Sequence, residues 1–231
     1  MGADLLETVV DDVLWAVERP VWFSGVRLRA RTTILRLEDG GLLVHSPAPP
    51  TEALDAALDG LGPVRWLVVP NLFHHLAAPA AAARYPDAAV VGPAAANDSN
   101  PSLQLDHVLG DGALVAAAPE LSLHPLRGVP FLDETVLFHR PTGTLIGTDV
   151  VMSACAKDHW TWRWSARLLG VWEKVRTPPD VKWKTPPNEA TKGSIEAMLD
   201  LPIERIVVAH ADPIVDRPKD HLAEAWRFVG V

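Results

Sequence analysis

Three segments carry side chains able to bind a metal ion, and each follows an apolar run that reads as a buried strand. Pro70-Asn71-Leu72-Phe73-His74-His75-Leu76 follows 66–69, Ile146-Gly147-Thr148-Asp149 closes 144–146, and Val207-Val208-Ala209-His210-Ala211-Asp212 closes 205–208. Imidazoles and a carboxylate at the C-terminal ends of strands are where α/β folds gather ligands. His74, His75, Asp149 and His210 are the candidate set, and three imidazoles with a carboxylate suit Zn²⁺, Fe²⁺ or Mn²⁺. Four protein ligands would close a tetrahedral site. Hydrolysis needs an open position for a water whose pKa the ion lowers to about 7, so a catalytic site here uses three of the four or expands its coordination. The same residues admit structural roles. Adjacent His74 and His75 diverge on a strand, Asp149 can cap a turn, and His210 can hydrogen-bond Asp212 or a backbone carbonyl. One divalent ion, or none, are both open from the residues alone.

The elements that must position these groups follow from hydrophobic patterning. Strands are expected at 13–17, 21–23, 31–37 and 42–45, the last two joined by the hairpin signal Glu38-Asp39-Gly40-Gly41. Pro47, Pro49 and Pro50 end that run, because proline cannot donate to a ladder. Thr51 caps a helix whose Leu54, Ala57, Leu58 and Leu61 share a face. Strand 65–69, helix 79–84 and strand 88–91 make a β-α-β unit, and 92–105 reads as a surface excursion. A β pattern resumes at 114–115, 121–124, 135–138 and 144–146. Trp160, Trp164, Leu168 and Trp172 recur every four residues, a helical stripe expected to pack into the core. Asn188 caps a helix over 188–200, strand 205–208 follows, and 218–228 is the closing helix. This order predicts an α/β (α+β) fold with two mixed sheets and helices on their outer faces. Periodicity alone also allows another α+β arrangement.

At 231 residues and 48% hydrophobic the chain is expected to be one domain spanning 1–231. Its single cysteine, Cys155, excludes an internal disulfide and a thiolate cage and fits a reducing compartment. The start of the chain shows no secretory pattern, and no run approaches the ~20 apolar residues of a spanning helix, so a cytoplasmic protein without membrane insertion is expected. A net charge of -8 speaks against nucleic-acid binding. Residues 157–184 are the exception, with seven Lys or Arg against three acids and five of the nine Trp. That basic, Trp-rich stretch reads as an insert or lid, or as a homodimer contact. An anionic-substrate clamp and a membrane-surface patch are its other uses, and membrane binding is disfavoured because the aromatic stripe needs a buried partner. Phosphate-binding G-x-x-x-x-G-K-[ST], dinucleotide-binding G-x-G-x-x-G and serine-hydrolase G-x-S-x-G motifs are all absent.

Four stretches occur in a telling order: Gly41-Leu42-Leu43-Val44-His45-Ser46, then 67–76 with Asn71, His74 and His75, then Gly143-Thr144-Leu145-Ile146-Gly147-Thr148-Asp149, then Val207-Val208-Ala209-His210. Together they resemble the metallo-β-lactamase superfamily over about residues 12–228, and more narrowly a bacterial branch with a degenerate metal-binding motif. The resemblance implies an αββα sandwich with the metal site along one sheet edge. Superfamily hydrolases carry His-x-His-x-Asp-His after the strand matched by 65–69. Here Asn71 stands at the first His, Phe73 falls near the second, and His74-His75 match the closing Asp-His pair. The later-strand His falls near Phe131 and Leu132, where no imidazole stands, while Asp149 matches the bridging Asp and His210 the last His. His45 occupies the place of a strand-end Asp that supports the site from behind, though a satisfied structural histidine is the favoured reading. Asn71 could orient a ligand or donate to a substrate, and Glu134, near the missing His, could supply a carboxylate or be a hairpin-edge acid.

The function implied is a metal-dependent hydrolase-like protein acting on a small ester, thioester, lactone or phosphoester. The alternative is a catalytically inactive superfamily member serving as a binding or scaffold protein.

Overall fold

The hairpin signal at 38–41 joins two antiparallel strands, and the first sheet grows outward from that pair. The structure is a computed structural model and describes residues 5–231. In chain order its elements are β1 (Glu7–Val10), β2 (Leu14–Phe23), β3 (Val26–Arg36), β4 (Leu42–His45), α1 (Glu52–Asp59), β5 (Val64–Val68), α2 (Ala78–Arg84), β6 (Ala89–Gly92), α3 (Ala96–Ser99), β7 (His107–Val108), α4 (Ala113–Ala117) and β8 (Leu121–Pro125). There follow β9 (Thr135–His139), β10 (Thr144–Ile146), α5 (Trp160–Leu169), α6 (Pro179–Lys184), α7 (Glu189–Leu199), β11 (Arg205–Val207) and α8 (Pro218–Trp226). Strands β1 to β7 form one sheet in sequence order, and the second runs β11-β10-β9-β8. Both sheets are mixed: β3–β4 and β9–β10 pair antiparallel, whereas β4–β5, β5–β6 and β10–β11 pair parallel. No helix among the described residues is long and apolar enough to cross a membrane.

The chain divides into two compact units, one of residues up to Val17 with Arg31–Leu123, the other of Glu18–Ala30 with His124–Val231. In the first, α1 and α2 lay Leu54, Leu58, Ala78 and Ala81 against Leu42, Val44, Leu67 and Val90 of the strands. Thr51 caps α1 as its sequence suggests, its hydroxyl accepting from the Leu54 N–H at 3.2 Å. In the second, Ile195 and Met198 of α7 and Leu222 and Trp226 of α8 cover Phe138, Leu145, Ile206 and Val208. The fully buried Trp226 indole donates to the Val150 carbonyl at 2.8 Å.

Four local expectations need correction. The two segments read as 13–17 and 21–23 are one strand, β2, which continues through Pro20. β1 reaches along it only as far as the Glu7↔Ala16 pair, so Pro20 lies beyond β1, where a missing donor is tolerated. Residues 114–115 are helical, in α4, rather than a strand. The Asp111 carboxylate accepts from the Ala113 N–H at 2.8 Å, and the alanine-rich run turns once to Ala117. The 92–105 stretch is anchored rather than external, with Ala96 and Leu103 in the first unit's core.

The tryptophan stripe faces outward. Trp160, Trp164 and Leu168 are 69%, 65% and 71% exposed, while Trp162 and Ala166, also four apart, pack with Leu28, Met152, Ala154 and Val171. A spacing of four identifies residues that share a helix face but does not say which face turns inward. Trp172 is half-buried beneath the Arg167 guanidinium, 3.5 Å from its ring centroid.

Candidate metal centre

Parallel pairing places ligand-bearing segments side by side. In the first unit the register His45↔Val68 ends β4 and β5 together, so Ser46 and the 69–75 loop emerge from neighbouring strands. Asn71, fully buried, turns its carboxamide oxygen back on that loop, accepting from the Phe73 and His74 N–H groups at 2.8 and 2.9 Å. This is an Asx-type turn, and it shapes the backbone from which His74 projects. His74 Nδ1 lies 2.7 Å from the Ser46 hydroxyl, which leaves Nε2 as the ring nitrogen to offer a ligand.

The neighbouring imidazoles behave differently. His75 is buried, and its Nδ1 sits 3.3 Å from the Asn100 amide nitrogen. Burial, and after it the nearby His74, lowers its pKa. His45 is 1% exposed, and burial followed by His74 pushes its pKa down to about 3, so the ring is neutral near pH 7. The favoured sequence reading of His45 as a satisfied structural residue does not hold, because its Nε2 has no hydrogen-bond partner among the described residues. Its position at the end of β4 follows from the sequence, but its orphaned nitrogen depends on long-range burial.

In the second unit the register Ile146↔Val207 ends β10 and β11 together, and Gly147 N–H donates to the Val207 carbonyl at 3.0 Å. Asp149 and His210 therefore meet, with His210 Nε2 and Asp149 Oδ1 3.6 Å apart and side-chain exposures of only 10% and 14%. His210 Nδ1 lies 2.6 Å from the backbone carbonyl of Arg29, an acceptor only. That bond puts the ring proton on Nδ1 and leaves Nε2 with a lone pair, the tautomer a metal requires. Among the alternatives the sequence left open for His210, the backbone carbonyl is the one realised.

Glu134 is a buried loop organiser rather than a hairpin-edge acid. One carboxylate oxygen accepts from the Thr148 N–H, from the Thr148 hydroxyl at 2.8 Å and from the Asp149 N–H at 3.1 Å. The other accepts from the Asp149 N–H at 3.0 Å. At 1% exposure these charge-assisted bonds pin the backbone that carries Asp149. Gly147 completes the packing, since a Cβ there would stand 3.1 Å from Val150 and 3.2 Å from Glu134.

Sequence reasoning missed Ser46 and Arg29. Beyond its carbonyl, Arg29 sends its guanidinium to Asp158 at 2.7 Å, Asp212 at 2.8 Å and Glu18 at 3.0 Å. Burial alone would lower its pKa, but the bonds to Asp158 and Asp212 outweigh this and raise it. The alternation Arg27-Leu28-Arg29-Ala30-Arg31 was the available signal, a strand with arginines on one side.

Within the second unit Asp149 and His210 make a ligand pair, a carboxylate oxygen and an imidazole Nε2 3.6 Å apart, and within the first unit His74 offers its own Nε2. His75 is turned to Asn100 instead. Phe131 and Leu132 are half-buried and buried hydrophobics in the second unit's core, so no imidazole enters from there.

Comparison with known proteins extends this picture. A family described as Domain of unknown function (DUF4336) matches residues 11–95, less than half of the chain. A comparison with curated proteins gives no match. Among solved structures, a metallo-beta-lactamase from Pontibacter korlensis superposes with a TM-score of 0.62 at 12% identity, covering 97% of this chain and 98% of that one. The metallo-beta-lactamase FIM-1 from Pseudomonas aeruginosa, solved in a mono-zinc form, gives 0.60 at 14% identity over 95% and 94%. A metallo beta lactamase from Hirschia baltica gives 0.59 at 12% identity over 95% and 97%. Near-complete coverage of both chains, with two mixed sheets and their helices, establishes that this chain has the metallo-β-lactamase fold.

Proposed function

We propose that this chain is a metal-dependent hydrolase-like protein that holds one divalent ion on His74, Asp149 and His210. Its substrate would be a small ester, thioester, lactone or phosphoester. The observation that carries this reading is the Asp149–His210 pair, a carboxylate and a correctly tautomerised imidazole 3.6 Å apart at the ends of paired strands, and the motif order adds His74 as the third ligand. The donor set fits Zn²⁺, and also Fe²⁺ or Mn²⁺, and three protein ligands leave the fourth position open. The orphaned Nε2 of buried His45, beside His74, supports a site whose polar inventory is completed by something bound.

A divalent ion there supplies Lewis acidity and brings the pKa of water at the open position towards 7. The chain's own residues do the rest. Arg29 and Ser46 fix the two rings so that each offers Nε2, and Glu134 holds the loop that aims the Asp149 carboxylate. Asn71 shapes the His74 loop in the place where the superfamily has its first histidine, and neutral His45 backs it. The proposed set is narrower than the four-residue expectation, because His75 is directed to Asn100. The single unpaired cysteine, Cys155, supports a cytoplasmic setting.

The test is metal content of protein purified without chelator, read beside a thermal melt with and without chelator. Near-stoichiometric metal is expected in wild type and His75→Ala, with loss in Asp149→Ala and His210→Ala. Metal-free wild type, with a melt indifferent to chelator, overturns the proposal. A second reading, an inactive binding protein, is favoured by Asn71, whose oxygen is committed to its own loop, and by the missing imidazole at 131–132. Metal-loaded protein that turns over none of the four substrate classes would select it.

A further inference from the structure

We propose that the outward face of α5, together with the tip of the β2–β3 hairpin, is a docking surface for an anionic phospholipid bilayer. Trp22 and Phe23 at the tip are 64% and 48% exposed, beside the exposed Trp160, Trp164, Leu168 and Leu169 of the helix. These form one surface. The Arg27 N–H donates to the Thr161 hydroxyl at 3.1 Å, and the rings of Trp22, His159 and Trp160 follow one another at 6.0 and 5.7 Å. The helix needs none of these side chains for its own packing, since Trp162 and Ala166 already fill its inner face. An apolar patch of this kind on a protein that is otherwise acidic marks an interaction site.

Charge selects the occupant. α5 contains Arg163 and Arg167 and no acid, and the hairpin adds Arg27. Glu18, the hairpin's one acid, is paired with Arg29 at 3.0 Å. The whole 157–184 segment is net +4 in a chain of net -8, so the remainder carries -12. A second copy docking symmetrically would set arginine against arginine. Nucleic acid would match the arginines but would meet the field of a strongly acidic protein. A bilayer with anionic headgroups satisfies both halves of the surface. Tryptophan rings settle at the headgroup–acyl boundary, and arginines beside them reach the phosphates. A ten-residue helix is about 15 Å long, so it lies in the interface and does not span.

The experiment uses the full chain in vesicle flotation, with phosphatidylcholine alone and with phosphatidylcholine and phosphatidylserine at roughly 7:3. Wild type is expected to float with the anionic vesicles at least about tenfold more tightly than with neutral ones, and to be released by salt. Trp160→Ser/Trp164→Ser should weaken binding about tenfold or more, and Arg163→Glu/Arg167→Glu about 25-fold, roughly fivefold per arginine. Both pairs include exposed residues, and thermal melts confirm that each variant is folded. Brominated lipid should quench part of the tryptophan emission of wild type. No flotation with either vesicle overturns the proposal, and so does equal binding to both with the arginine variant unchanged. Sedimentation showing a dimer that the tryptophan variant abolishes, without vesicle binding, overturns it in favour of a second copy.

Discussion

Replacing Glu134 separates the loop's stability from its role at the metal centre. In Glu134→Ala, three donors lose their bonds to this carboxylate: the Thr148 N–H, the Thr148 hydroxyl and the Asp149 N–H. A lost bond to a buried donor costs about 1–3 kcal/mol, so three come to at least about 3 kcal/mol, or at least about 6–12 °C in melting temperature for a chain of this size. Glu134→Gln is milder. Its carbonyl oxygen can still face all three donors, while its NH₂ replaces the oxygen that accepts from Asp149 at 3.0 Å. Losing that bond and the charge assistance costs about 1–2 kcal/mol. Zinc affinity should nonetheless fall about 10- to 100-fold, because the Asp149 backbone is no longer held. Urea unfolding of chelator-treated protein measures the first quantity, and competition with a chromophoric chelator measures the second. A Glu134→Ala protein melting within about 2 °C of wild type refutes the loop argument. Unchanged zinc affinity in a folded Glu134→Gln protein refutes the coupling to Asp149.

Ser46→Ala removes the partner of His74 Nδ1 and should weaken zinc about tenfold while moving the melt by little, as chelator competition and calorimetry will show. His45 is held near pKa 3 against 6.5 in the unfolded chain. Above pH 6.5 its contribution is complete; below it the unfolded chain takes up a proton that the folded state refuses, so stability falls towards pH 3. In metal-free protein His45→Leu should therefore flatten stability against pH between roughly 6 and 4 by about 1.4 kcal/mol per pH unit, and an unaltered slope would contradict the assignment. Trp226→Ala should cost about 3–5 kcal/mol in urea unfolding, and Trp226→Phe less, since a ring still fills the site against Phe228 and only the bond to Val150 is lost.

What was legible in the chain was local. Turn residues, the Thr51 and Asn188 caps and strand-length apolar runs identified most elements, because each signal acts over a few neighbours. The segments bearing His74, Asp149 and His210 were equally visible, as was the order that resembles the metallo-β-lactamase fold. The partners that orient the rings were not. Ser46 lies 28 residues from His74, and the Arg29 carbonyl lies 181 from His210 and belongs to no side-chain pattern at all. Glu134 looked like an edge acid because its acceptors' partners, at 148 and 149, sit across a strand return. The tryptophan stripe failed for a different reason: two equally spaced rows share α5, and only tertiary packing distinguishes Trp162 and Ala166 from Trp160 and Trp164. In 113–117, the Asp111 turn overrode the strand preference of Leu114 and Val115.

The Arg29 carbonyl has a consequence for how this centre responds to mutation. His74 is steered by a hydroxyl that one codon change can delete, whereas His210 is steered by main chain that every amino acid supplies. Substituting Arg29 removes the guanidinium links to Asp158 and Asp212 yet leaves an oxygen in the chain for His210 to address. One half of the centre is thus genetically fragile and the other robust, so drift or engineering will detach His74 long before it disorients His210.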